Sequence, residues 1–185
     1  MANDVPVDVL VAAYTTEQGA KDALHELDDA RKANLIRIRD AAVLMRDADN
    51  KLHITETTDK GFGRGAVIGG IGGAVVGLIA GPIGWATVGG AAIGGLAAKL
   101  RDGGFRDDRL RQVGEGLKPG SSALIAVIEH EWVKQVEDML REEAETLVTE
   151  TLEAAIARQL EEQAAQQPPQ AVEGQQGGEE MKKAA

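Results

Sequence analysis

Two strand–helix–strand patterns flank an uncharged, glycine-rich stretch: one lies in the first 46 residues, the other near 122–152. Together they predict an α+β fold, a ferredoxin-like βαββαβ sandwich interrupted by a Gly-rich hydrophobic helical hairpin. The expected divisions are 5–60 for the first half of the sandwich, 61–104 for the hairpin insert, 105–163 for the second half and 164–185 for a polar tail. The sandwich itself would be a four-stranded antiparallel sheet with two helices on one face.

Val7, Val9 and Val11 open an apolar run through Tyr14 that predicts a buried strand. Thr15 and Gln18 have the spacing of a capping box. Ala20, Ala23, Leu24, Leu27 and Ala30 then mark the inner face of an amphipathic helix that ends near Asn34. A second strand is expected between Leu35 and Arg46. Asp47-Ala48-Asp49-Asn50 is a turn, and Leu52 to Thr57 alternates like a hairpin partner.

The insert runs from Gly65 to Ala98, 34 residues without a charge and with twelve glycines. Gly65, Gly69, Gly73, Gly77 and Gly81 recur at four-residue steps, which stacks them on one helix face. A ridge of Val67, Ile68, Ile71, Val75, Val76, Leu78 and Ile79 lies opposite. Ala86, Gly90, Gly94 and Ala98 repeat the spacing after the break at Gly81-Pro82. Each arm, at roughly 24 Å, is slightly short for an average hydrocarbon core of ~30 Å. In water each glycine weakens a helix by about 1 kcal/mol relative to alanine, whereas in lipid small residues let helices pack closely.

Lys60 and Arg64 precede the insert, and Lys99, Arg101, Arg106, Arg109 and Arg111 follow it. By the positive-inside rule both ends of a membrane hairpin would lie in the cytoplasm, with Trp85 at the opposite interface. Two other readings stay open: a hairpin buried inside a soluble assembly, and a single long span.

In the second half Asp107 or Asp108 is placed to cap a short helix through Val113 and Leu117, which Lys118-Pro119-Gly120 stops. Ser122 to His130 is the clearest buried strand in the chain. A helix with Val133, Val136, Met139 and Leu140 on its inner face follows. Leu147 to Leu152 is β-branched enough to predict a strand, and a helix from Glu153 to about Gln163 closes the folded part. One continuous helix from Val133 to Gln163 is the alternative. The Gln-, Pro- and Gly-rich residues beyond it predict disorder.

The early Val-rich strand, the glycine-rich insert and the segment Leu117-Lys118-Pro119-Gly120-Ser121-Ser122-Ala123-Leu124 resemble the bacterial and archaeal domain-of-unknown-function family numbered 1269. The resemblance spans about residues 5–160. It implies a ferredoxin-like fold interrupted by a hydrophobic hairpin, with no activity and no catalytic residues to carry over.

A formal net charge of −10 and only five aromatic residues argue against nucleic-acid binding. The chain has no cysteine, hence no disulfide and no thiolate chemistry. No secretory signal is evident at Met1-Ala2-Asn3-Asp4-Val5-Pro6. Gly61-Phe62-Gly63-Arg64-Gly65-Ala66 fits G-x-G-x-x-G/A, but no acidic residue follows at the required distance, so no cofactor is expected.

Among the three histidines, His25 sits on a polar helix face. His130, in Glu129-His130-Glu131, would hold a metal only if His53 came beside it. No catalytic or metal site is expected, and no small-molecule substrate is identified. The function expected is that of a non-enzymatic, membrane-associated protein that self-assembles through the insert; a soluble homo-oligomeric scaffold is the alternative.

Overall fold

The computed structural model describes residues 6–56, 71, 72, 75, 76, 79 and 107–166. The fold is mixed α+β. Strand β1 (Val7–Tyr14) leads into helix α1 (Gly19–Lys32), then β2 (Ile38–Arg46) and β3 (Leu52–Glu56). After the insert come α2 (Asp107–Gly116), β4 (Ser121–Glu129), a single 3-10 turn (His130–Trp132) and α3 (Val133–Leu140). β5 (Thr146–Leu152) and α4 (Ala154–Gln166) complete the order. The strand at 146–152 excludes the continuous helix from Val133 to Gln163.

The strands form one antiparallel sheet in the order β3-β2-β4-β1-β5. Every residue of β1 and β4 is buried. That follows from their near-continuous apolar sequences, which suit strands covered on both faces rather than one. Side chains alternate between the two faces. Leu10, Ala12, Tyr14, Val43, Leu124, Ala126 and Ile128 pack under α1 and α3, with Leu27, Val136 and Leu140. Val7, Val9, Val11, Leu44, Ile125 and Val127 form the opposite face, beneath Leu110 and Val113 of α2 and Leu160 of α4.

The insert joins this second layer. Ile71, Gly72, Val75, Val76 and Ile79 are helical and buried, and the four apolar side chains belong to the same core cluster as Val9, Leu44 and Ile125. The ridge expected opposite the glycines therefore packs, at these positions, on the domain's own sheet. Gly114 of α2 faces the Ile79 carbonyl so closely that an added Cβ would collide with it. The helices after β1 and β4 share one face, as expected; the expectation of four strands is corrected, since the sheet has five among the described residues and helices also cover its second face. The physical reason is that the inner strands carry apolar side chains on both sides.

Two local expectations also change. The Thr15–Gln18 capping box does not form. Instead Gly19 N–H donates to Thr16 Oγ1, and Ala20 N–H donates to the hydroxyl of Ser122 on β4. β2 starts at Ile38 rather than Leu35, because Asn34 takes a left-handed conformation (φ 58°) that turns the chain out of α1.

No helix among the described residues is long and apolar enough to cross a membrane. The positions expected to pack the hairpin (Gly65, Gly69, Gly73, Gly77, Gly81, Gly90 and Gly94) lie outside the described residues. So do the flanking Lys60, Arg64, Trp85, Lys99 and Arg101, the Gly61–Ala66 motif and the tail beyond Gln166.

If the insert ridge is core, Ile71→Ala and Ile79→Ala should each destabilise the protein by about 2–4 kcal/mol in detergent-free urea denaturation. A ridge facing lipid would leave that midpoint unchanged.

Candidate functional site: polar groups at one end of the sheet

The antiparallel registers bring the start of β1, the start of β2, the end of β4 and the end of β5 to one end of the sheet. Val7 pairs with Glu129 and with Leu152, and Ile38 pairs with Ile128. The buried charged groups of the sheet gather here, on both faces.

On the α1/α3 face Asp8 is 2% exposed, the lone charge in a strand of apolar residues. Its Oδ2 lies 2.7 Å from His130 Nδ1, and its Oδ1 accepts the Thr151 hydroxyl at 2.6 Å. Thr151 reaches it because it is the register partner of Asp8 across the β1–β5 pair. The His130 ring is 61% exposed on the 3-10 turn. A buried carboxylate is tolerated only when its lone pairs are met, and here two side chains meet them. The arrangement orients an imidazole against a buried acid while leaving most of the ring in solvent. The threonine hydroxyl is bonded to the acid, not to the imidazole, so these three groups are not wired as a nucleophile and its base.

On the opposite face a bulge changes the alternation of β2. Ile38 pairs with Ile128 and Asp40 with Val127, which leaves Arg39 as the extra residue. Arg39 Nε stands 3.7 Å from Glu129 Oε1 and its Nη1 lies 3.4 Å from Glu161 Oε1 of α4. Its Nη2 is buried without a hydrogen-bond partner. Asp40, next along the strand, meets the insert: the backbone N–H groups of Ala41 and Gly72 donate to its carboxylate. Burial, with a smaller contribution from the nearby Glu161 charge, pushes the Asp40 carboxyl up to about 6.

The histidines do not converge. His53 pairs with Met45 on β3, and Met45 in turn pairs with Ser122 at the start of β4. His130 follows the other end of that strand, roughly 27 Å away at ~3.4 Å per residue. His53 Nε2 instead lies 2.6 Å from Asp47 Oδ2 across the β2–β3 turn, and that contact holds the Asp47 carboxyl below its usual range. His25 is exposed, as its helix position predicts. Among the described residues no three His, Cys, Asp or Glu side chains come together as a metal site. From the basic cluster, Arg109 Nη1 pairs with Glu150 of β5 at 3.2 Å.

The segment Leu117–Leu124 is built for architecture. Leu117 and Leu124 are core residues of opposite faces. Gly120 has φ 82°, a left-handed turn that favours glycine, and its N–H donates to the Arg46 carbonyl. Ser121 Oγ donates to the Lys118 carbonyl, while Ser122 Oγ donates to the Thr16 carbonyl and accepts from Ala20 N–H at the start of α1.

Removing His130 leaves the buried Asp8 short of a partner, whereas removing Asp8 leaves only the exposed His130 and Thr151. His130→Ala should cost about 1–3 kcal/mol in urea denaturation at neutral pH, and Asp8→Ala no more than that. In the double variant the two losses should add to less than their sum, as a coupled pair requires.

No curated protein and no solved structure gives a significant match to the chain. A family model described as "Protein of unknown function (DUF1269)" matches residues 66–165, more than half of the chain. That span holds the five described insert positions, α2, the Leu117–Leu124 segment, β4, α3, β5 and nearly all of α4, and leaves β1 to β3 outside it. On that match the chain belongs to the DUF1269 family.

Proposed function

We propose that this chain is a non-enzymatic structural protein that self-assembles through the glycine-bearing side of its insert. The observation that carries this reading is the burial of Ile71, Val75, Val76 and Ile79 in the domain's own core. A helix turns about 100° per residue. By the helical spacing of the sequence alone, Gly73 and Gly77 fall on the face opposite that ridge, where small residues would admit another copy at close range. At the sheet end the Asp8 carboxylate is taken up by His130 and Thr151 and the Arg39 guanidinium by Glu129 and Glu161, which fits a structural role better than a reactive one. As part of the same reading the fold is taken to be ferredoxin-like. The run β2-β4-β1-β5, with α1 after β1 and α3 after β4, supports it, with β3 and the insert as additions.

A second reading keeps the protein at the cytoplasmic membrane, its sandwich in the cytoplasm. Its support is the uninterrupted uncharged run from Gly65 to Ala98 with cations on both sides. In that case the second arm, rather than the ridge of the first, would meet lipid.

Light scattering on a detergent-free gel-filtration column separates these readings. The wild-type chain should elute as a homo-oligomer, and Gly73→Leu with Gly77→Leu should reduce its mass at least twofold without unfolding it. An unchanged mass sinks the assembly reading. Retention of native protein in the membrane pellet after alkaline washing would favour the second.

A further inference from the structure

Where the insert touches the sheet, its backbone rests on a carboxyl group. A Cβ at Gly72 would collide with the Asp40 carboxylate, and the Gly72 N–H donates to that same group. The bulge at Arg39 is what turns Asp40 toward this face, in line with Ala42 and Leu44 of the core cluster. We propose that Asp40 is a proton-operated latch between the sheet and the insert helix: protonated, it holds the insert tightly on β2, and ionised, it loosens that contact.

Among the described residues, Glu161 is the charge that acts on Asp40 across this contact. The described insert residues Ile71, Gly72, Val75, Val76 and Ile79 carry no cation to offset an ionised Asp40. Glu161, from α4, adds a like charge. Arg39, the adjacent cation on β2, is engaged by Glu129 and Glu161. The two backbone N–H groups favour the ionised form, but burial outweighs them and leaves the carboxyl at about 6 instead of its ordinary 3.8. With the insert off the sheet, Asp40 is solvated and returns toward the ordinary value. The docked state therefore binds the proton more tightly than the undocked one. By linkage, docking is strongest below pH ~4, weakens as pH rises toward 6 and is level above it. Two pH units of difference correspond to about a 100-fold change in the docking equilibrium. Acid tightens this contact, opposite to the usual effect of acid on buried carboxylates that are paired with cations.

The test uses the full chain and does not depend on self-assembly, because the contact lies within one copy. Hydrogen exchange of the peptide covering residues 71–79 is followed by mass spectrometry between pH 4 and 8, at a fixed low protein concentration and corrected for intrinsic exchange. Protection should fall by ten- to 100-fold between pH 4 and 6.5 and then level off. Asp40→Asn should remove that dependence, and Glu161→Gln, which lifts the like charge and frees one side of Arg39, should shift it to lower pH. Protection that is flat with pH in the wild type overturns the latch, as does the same dependence in Asp40→Asn. If Asp40→Asn fails to fold, an unmoved profile in Glu161→Gln overturns it instead.

Discussion

The structure depends on the two-sided burial of β1 and β4. Antiparallel sheets commonly keep one face wet, and their strands then alternate apolar with polar residues. Here both faces of the inner strands are apolar, from Val9 and Leu10 to Leu124 and Ile125, so each face must be covered. Helices α1 and α3, which follow β1 and β4 directly, cover one. The other is left to α2, α4 and the insert, none of which belongs to the two strand–helix–strand units. A fully buried Val or Leu is worth about 1.5–3 kcal/mol relative to exposure. A bare second face would therefore forfeit far more than the 5–15 kcal/mol by which domains are stable.

That constraint changes what the insert is. A glycine-rich stretch without charges suggests a separable element, inserted in lipid and joined to a soluble domain. Yet Ile71, Val75, Val76 and Ile79 share one core with Val9 and Ile125, and Ile79 meets Gly114 of α2 backbone to backbone. Two of the described glycines serve close approach between the insert and the rest of the domain. Gly114 admits a carbonyl, and Gly72 admits a carboxylate. The insert's helix is thus part of the folding unit, and any assembly built on its outer side inherits the stability of the sheet beneath it.

Much of this was legible from the residues. The strand positions followed from runs of apolar and β-branched side chains, including β5 from Val148, Thr149 and Thr151. The family was legible from Leu117–Leu124, whose glycine turn and serine hydroxyls tie α2, β4 and α1 together. The two-sided cover was legible in principle: an eight-residue strand such as VDVLVAAY has no wet face to offer. What escaped depended on distant partners. Of the two side-chain hydrogen bonds at the start of α1, one comes from Ser122, more than a hundred residues away, so a local capping rule could not find it. Asp8 carried a signal, a single charge inside an apolar run, but its partners His130 and Thr151 are set by strand register. Arg39 and Asp40 owe their directions to a bulge, which shifts the alternation by one residue and has no glycine or proline to mark it.

Asp8 and Asp40 sit at the same end of the sheet on opposite faces, and the contrast between them separates structure from response. Asp8 is met by side chains on β5 and on the turn after β4, elements fixed by the sheet itself. Asp40 is met by the backbone of its own strand and by Gly72 of the insert. That contact can loosen while β2 stays paired with β3 and β4, because the strand hydrogen bonds described there do not involve Gly72. A buried acid whose partners are all rigid acts as a staple. One whose burial depends on a neighbouring helix's backbone must instead report, in its protonation, how closely that backbone sits on it.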